Sequence, residues 1–85
     1  MKHIDPKRYN LSSRTILRQI GKNNISIIIN RKSRIIMKDG QRIMEQAQAI
    51  RRINSNMIIT VLTSAPVCSK TRSFLLAKNI YIKEL

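Results

Sequence analysis

Residues 39–63 read DGQRIMEQAQAIRRINSNMIITVLT, and this stretch decides the fold class. Between Gln41 and Asn54 the apolar residues recur at helical spacing and the charged residues fall largely on the other side, which predicts an amphipathic helix. Asp39 is expected to cap the start of that helix. Residues 57–63 are almost continuously apolar, as in a buried strand. A helix that leads into such a strand indicates an α/β fold.

The segments on either side extend this pattern. Residues 25–30 are β-branched and nearly all apolar, which is typical of a strand covered on both faces. Residues 34–37 are expected to pair with them in a hairpin, through a polar turn. Further along, residues 69–79 are predicted to form a helix and residues 80–82 a short last strand. Strands joined through a helix generally run parallel, so the expected sheet is mixed and has about four strands.

Residues 11–20 are expected to form a short helix ahead of the sheet. Ser12 or Ser13 can cap its start, because a hydroxyl there accepts an otherwise unpaired backbone N–H. At helical spacing, Arg14 and Arg18 lie together on one side of this helix. The complete predicted order is therefore α-β-β-α-β-α-β, a small sheet with covering helices.

Length and composition set further bounds. The 85 residues leave room for one domain, and 42% hydrophobic residues are too many for a disordered basic tail. Residues 1–10 are polar and are expected to form an arm, with residues 11–85 as a single basic α/β domain. The lone Cys68 cannot form an internal disulfide, and no apolar run is long enough for a membrane span or a signal peptide. We therefore expect an intracellular, cytoplasmic protein with no membrane partner; an exposed edge strand offers one route to a dimer.

Charge is the strongest functional signal. Seventeen Lys and Arg residues give the chain a formal net charge of +13. The four acids are Asp5, Asp39, Glu45 and Glu84. An AT-rich coding bias would explain some of the lysines but not nine arginines. Nucleic acid is the most abundant partner that would neutralise such a surface, so a polyanion partner is favoured.

The basic residues concentrate near the start of the chain. Ten of the seventeen fall within the first 38 residues, where only Asp5 opposes them. A basic turn can lie along phosphates, although most charged turns are simply solvated. The asymmetry favours a binding face. The predicted nucleic-acid contacts are Arg14, Arg18, Arg31, Lys32, Arg34 and Lys38. Aromatic residues are too scattered for a stacking platform, so phosphate contacts with little base specificity are expected, to DNA or RNA.

A second basic cluster lies between a predicted strand and a predicted helix. Residues 64–71, SAPVCSKT, resemble a Walker A phosphate loop in which serine replaces both glycines. The resemblance assigns phosphate and magnesium contacts to Lys70 and Thr71. The missing glycines would have let the backbone wrap the phosphates, so ATP binding is not expected. A small-anion site at the helix start remains, made of Ser69, Lys70, Thr71 and Arg72. Alternatively, Ser69 is only a cap and the bases are solvated.

No catalytic constellation is complete. Cys68 precedes a helix start, where thiolates are stabilised, but a phosphatase loop would need an arginine where this chain has Phe74. We expect Cys68 to be buried and unreactive. His3, the single histidine, lies in the polar arm and makes a poor base. An enzyme is the least supported class.

Residues 58–63 followed by residues 69–80 resemble the closing strand and helix of restriction-endonuclease-like nucleases, the group of the Holliday-junction resolvases. The likeness covers residues 11–84 in element order but only this tail in sequence. The family holds a metal with an Asp in one strand and Glu-x-Lys in the next. Here the predicted hairpin offers Ser26, Asn30 and Lys32 and no carboxylate. The resemblance therefore implies no nuclease activity, and we expect no metal and no cofactor.

The sequence thus favours a non-enzymatic nucleic-acid-binding domain that contacts phosphates through Arg and Lys. Two other functions stay open. One is a structural or adaptor subunit that docks on an acidic protein partner. The other is a small-anion-binding domain that uses the turn from Cys68 to Arg72.

Overall fold

The computed structural model describes residues 2–85, which form an α/β fold of one mixed sheet and two α-helices. The five strands are β1 (Lys2–Ile4), β2 (Leu17–Gly21), β3 (Asn24–Ile29), β4 (Ile58–Thr63) and β5 (Ile80–Glu84). The helices are α1 (Met37–Ile53) and α2 (Ser69–Ala77), with a short 3-10 helix at Pro6–Tyr9. The predicted α/β class is confirmed, but the sheet has five strands where about four were expected, and the element order differs in the first half of the chain.

The sheet has the strand order β1-β2-β3-β4-β5. β1, β2 and β3 pair antiparallel, whereas β3, β4 and β5 pair parallel. The tight turn between β2 and β3 makes an antiparallel hairpin, and the parallel pairs need the longer crossovers that α1 and α2 supply. The predicted parallel pairing of strands joined through a helix is therefore confirmed.

One face of the sheet carries the core. Alternate residues of β3, β4 and β5 lie on this face and are almost completely buried, among them Ile25, Ile27, Ile59, Val61 and Ile80. The helices contribute Ile43, Ala47 and Ile50 from α1 and Leu75 from α2. Each fully buried Ile or Leu side chain stabilises the fold by about 1.5–3 kcal/mol relative to exposure.

Gly40 sets how closely the two helices approach. A Cβ atom at Gly40 would lie 2.9 Å from Thr71 Cγ2 and 3.5 Å from Phe74 Cδ2. Because β3, β4 and β5 are consecutive neighbours and such crossovers share one hand, α1 and α2 lie on the same side of the sheet. Within residues 2–85 no helix covers the other side.

The predicted first helix is wrong. Residues 17–21 form β2, and the preceding residues 11–16 are irregular. Leu17 is fully buried and pairs with Ile4 on one side and Ile27 on the other. Pairing with β1 on one side and with β3 on the other overrides the local helical spacing.

The predicted hairpin between residues 25–30 and 34–37 is also wrong. Ile35 makes only an isolated bridge to Val67, and Met37 already begins α1. Asp39 consequently lies inside the first turn rather than at the cap, where its carboxylate accepts the Ile36 N–H at 2.9 Å. The prediction over residues 41–54 is otherwise confirmed in α1, as are β4, α2 and β5.

The segment expected as a polar arm contributes to the fold. Residues 2–4 form an edge strand, and Tyr9 is buried in the core. The Tyr9 hydroxyl accepts a hydrogen bond from Asn54 Nδ2 at 2.7 Å, which ties the 3-10 helix to the end of α1. Burial of an aromatic ring with a satisfied hydroxyl is a strong anchor.

Candidate nucleic-acid interface

At one end of the molecule six elements begin or end. The parallel strands β3, β4 and β5 all end there, and both α1 and α2 begin there. Since β2 runs antiparallel to β3, its start lies at the same end, together with residues 12–16. Loops at the carboxyl ends of parallel strands are where α/β proteins commonly bind ligands.

The two loops at this end hold one another in place. The Ile35 N–H donates to the Pro66 carbonyl at 2.9 Å, and the Cys68 N–H donates to the Ile35 carbonyl at 3.0 Å. Ser64 Oγ donates to Asn30 Oδ1 at 2.8 Å. The starts of α1 and α2 are therefore adjacent, so their unpaired N–H groups and partial positive charges reinforce each other.

Most of the predicted contacts meet at this end. Lys32 and Arg34 lie in the loop after β3, Lys38 in the first turn of α1, and Arg14 in the segment before β2. All four are exposed. We call the exposed bases here the basic end, made of Arg14, Lys32, Arg34, Lys38, Arg42, Lys70 and Arg72. The carboxylates nearby are Asp39 and Glu84.

Arg31 lies within this end and is held there by hydrogen bonds to its own loop and to Asp39. Its Nη2 donates to Asp39 Oδ2 at 2.6 Å and to the Arg34 carbonyl at 3.2 Å, while its Nε donates to the Ser33 carbonyl at 3.2 Å. The hydrogen bond from Arg31 lowers the pKa of Asp39. Asp39 therefore stays ionised and neutralises Arg31, whose hydrogen bonds hold the loop between β3 and α1.

A groove of about 410 Å³ opens between the segment before β2 and the first half of α1. Its lining includes Arg14, Thr15, Arg42 and Gln46, with the Arg31–Asp39 pair on its wall. The sequence assigned no function to Arg42. The available signal was its place four residues after Lys38, because residues four apart share a face of a helix.

Arg18 is not part of the basic end. Because residues 17–21 form a strand, Arg18 points away from the helices. Its Nη1 donates to His3 Nδ1 at 2.6 Å and to the Leu17 carbonyl at 3.0 Å. The expected grouping of Arg14 with Arg18 on one side of a helix is therefore wrong.

The four residues of the predicted small-anion site do not face one direction. Lys70 and Arg72 are exposed, and Ser69 is exposed as the first residue of α2 rather than its cap. Thr71 is fully buried where α2 meets Gly40, and its Oγ1 has no hydrogen-bond partner among the described residues.

Cys68 precedes α2 and is half-buried, not fully buried as expected. The nearby backbone N–H groups of Thr71 and Lys70 lower the pKa of its thiol, although its side chain makes no capping hydrogen bond at the start of α2.

Within residues 2–85 no group of His, Cys, Asp and Glu side chains could hold a metal ion. None of the helices described is long and apolar enough to cross a membrane. No protein family, curated protein or solved structure matches this chain. The resemblance to restriction-endonuclease-like nucleases therefore stays a prediction.

Proposed function

We propose that this protein is a non-enzymatic nucleic-acid-binding domain whose basic end contacts backbone phosphates. The observation that carries the proposal is the convergence of seven exposed bases with two adjacent helix starts. Helix starts attract phosphates through free N–H groups and a partial positive charge of about half an electron each.

The ion pair between Arg31 and Asp39 supports this interpretation, because the two opposite charges cancel. The carboxylate of Asp39 is already paired with Arg31, so its negative charge does not offset the exposed bases around it. Lys32 and Arg34 extend from a loop whose backbone is held by Arg31 and by the neighbouring loop, and Lys38 follows in the first turn of α1. A pre-ordered loop loses less entropy when it meets a phosphate backbone.

The groove beside the basic end supports phosphate contacts more than base reading. Arg14 and Arg42 line it together with Thr15, Gln46 and several isoleucines, and among the described residues that line it none is aromatic. Contacts of Arg and Lys with phosphates position a nucleic acid without reading its sequence. We therefore expect weak discrimination between sequences.

The test is a titration of labelled duplex DNA of about 20 base pairs, single-stranded DNA and duplex RNA over a salt series. If five bases each neutralise one phosphate of B-DNA, the slope of log affinity against log salt is about −4.5. A slope near zero, or no binding at low salt, would contradict the proposal.

A pair of charge-matched variants locates the contact. Lys32→Gln with Arg34→Gln removes one lysine and one arginine from the basic end, and we expect affinity to fall at least about tenfold. Lys22→Gln with Arg8→Gln removes the same charges from the opposite end, where both residues line a different cleft. Equal losses in the two variants would show that binding follows net charge alone.

A further inference from the structure

The side of the sheet away from the helices has an unusual surface. Its central row, fixed by the strand register, runs Arg18, Ser26, Thr60 and Tyr81. The neighbouring rows add Ile16, Ile28 and Leu62 on one side and Asn24 with Ile58 on the other. We call this surface the open face, made of these residues together with His3 and Lys83.

The open face exposes large apolar side chains. Ile16 is 42% exposed, Ile58 is 47% exposed and Tyr81 is 46% exposed. They surround Ser26 and Thr60, which are almost completely buried, so the larger side chains around them form most of the accessible surface of this face. Parallel strands with such continuous apolar sequences are generally covered on both faces. In residues 2–85 only one face is covered.

The charges on this face have one sign. Arg18 and Lys83 lie on it, and no carboxylate does among the residues that the structure describes. A groove of about 400 Å³ runs along its β5 side, where Arg72 and Leu76 of α2 join Ile58, Tyr81 and Lys83. Two buried polar atoms, Asn24 Oδ1 and Ser26 Oγ, have no partner within the described part of the chain.

We infer that the open face is a docking surface for an amphipathic α-helix of a partner protein, with its apolar side on the face and acidic residues along its edges. Helices are the elements that cover sheets of this kind in α/β proteins. Glutamates at the edges would meet Arg18, Lys83 and Arg72. A second copy of this chain fits poorly, because it would bring Arg18 and Lys83 against like charges on a molecule of net charge +13.

The probe is a labelled synthetic helix of about 18 residues, about 27 Å long, with leucines on one side and glutamates on the other. This length matches the 29 Å long axis of the protein. We expect binding to the full chain, with the largest NMR shift changes at Thr60, Leu62 and Tyr81. The same peptide with alanine in place of leucine should bind at least about tenfold more weakly, because less apolar surface is buried.

Two isoleucine pairs with matched exposure give the control. Ile16→Thr with Ile58→Thr changes the open face, and Thr keeps the β-branched shape that strands favour. Ile36→Thr with Ile53→Thr changes two isoleucines that are 49% and 52% exposed but lie at the ends of α1. The first pair should lower peptide affinity at least about tenfold and the second less than about twofold.

Four outcomes would overturn the inference. Equal affinities of the alanine and leucine peptides would show that the contact depends on charge and not on apolar burial. NMR shift changes that fall only at the basic end of the wild-type protein would show the same. Sedimentation could instead show a dimer that Ile16→Thr with Ile58→Thr dissociates, which would make a second copy the occupant. Binding of phosphatidylserine vesicles, lost in that same variant and without peptide binding, would make a lipid surface the occupant.

Discussion

The basic end and the open face place positive charge in two different settings. At the basic end the cations are exposed on loops and first helical turns, around a groove whose isoleucine lining is accompanied by arginines, an aspartate and polar side chains. On the open face, Arg18 and Lys83 border isoleucine, leucine and tyrosine on regular strands. The first setting suits a diffuse polyanion, whereas the second suits an apolar ligand with acidic edges.

The net charge of +13 therefore does not indicate one function, because the cations lie in different surroundings. Some of the cations hold the fold together: Arg51 donates to the carbonyls of Lys78 and Asn79 at 3.0 and 2.9 Å, at the end of α2. Cations at a helix end satisfy its last carbonyls and oppose its negative dipole. The number of bases therefore overstates the number available to a ligand.

The largest expected effect is a difference in salt dependence between the two surfaces. Raising salt from about 50 to about 200 mM should weaken duplex DNA binding about 500-fold if five phosphates are contacted. Binding of the leucine–glutamate helix should weaken less than about tenfold, since apolar burial is insensitive to moderate salt. Parallel titrations of both ligands measure this difference. Equal salt dependence would mean that both ligands bind through charge alone.

The second prediction concerns the packing of α1 against α2 behind the basic end. Gly40→Val places a branched side chain against the buried methyl of Thr71, so we expect a loss of about 3 kcal/mol in the free energy of unfolding. Gly21→Val is the matched control, because a Cβ there meets nothing within 4 Å. Urea denaturation measures both variants. Equal stabilities would show that α1 and α2 can separate without cost.

The regions with strong local patterns were predicted well from the sequence. α1, β4, α2 and β5 form near their predicted positions, because each has the periodicity or apolar continuity that its packing needs. The strand predicted at residues 25–30 is likewise confirmed as β3, whereas the helix at residues 11–20 and the strand at residues 34–37 were predicted wrongly. Leu17 belongs to a strand because it pairs with Ile4 and Ile27, and apolar residues at helical spacing do not encode that pairing.

The same limit applies to the candidate site. Lys32, Arg34 and Lys38 are neighbours along the chain, so their proximity followed from sequence. Arg14 and Arg42 lie close together because β2 runs antiparallel to β3, and their separation along the chain does not predict that proximity. The misplaced helix also put Arg18 on the wrong surface. That any of these residues contacts nucleic acid stays a prediction.

A smaller effect concerns pH and the loop of the basic end. Because Arg31 lowers the pKa of Asp39 below its ordinary value of 3.8, the pair contributes stability that is fully present above that value and lost as pH falls through the folded pKa. Asp39→Asn removes this contribution. We expect it to lower the free energy of unfolding by about 1 kcal/mol at pH 7, since the pair is partly exposed.

Denaturation of the wild type and of Asp39→Asn between about pH 2 and pH 7 measures that contribution. The two stability curves should converge at the acid end. Glu45→Gln serves as the control, because Glu45 is exposed on α1. A constant gap between the wild type and Asp39→Asn across the range would show that the carboxylate acts through its shape and not its charge.

The smallest effect concerns the Ser26 hydroxyl of the open face, in the free protein and under a docked helix. Ser26 Oγ is fully buried without a partner, so Ser26→Ala should raise the free energy of unfolding by about 0.5–1 kcal/mol. Leucines of a docked helix would cover this hydroxyl without offering it a partner, so the same change should leave peptide affinity within about twofold of the wild-type value. Ser55→Ala, in an exposed turn, should change neither quantity. A loss of peptide affinity would mean that the bound helix supplies a hydrogen bond to Ser26; a loss of stability would mean that the hydroxyl already has a partner in the free protein.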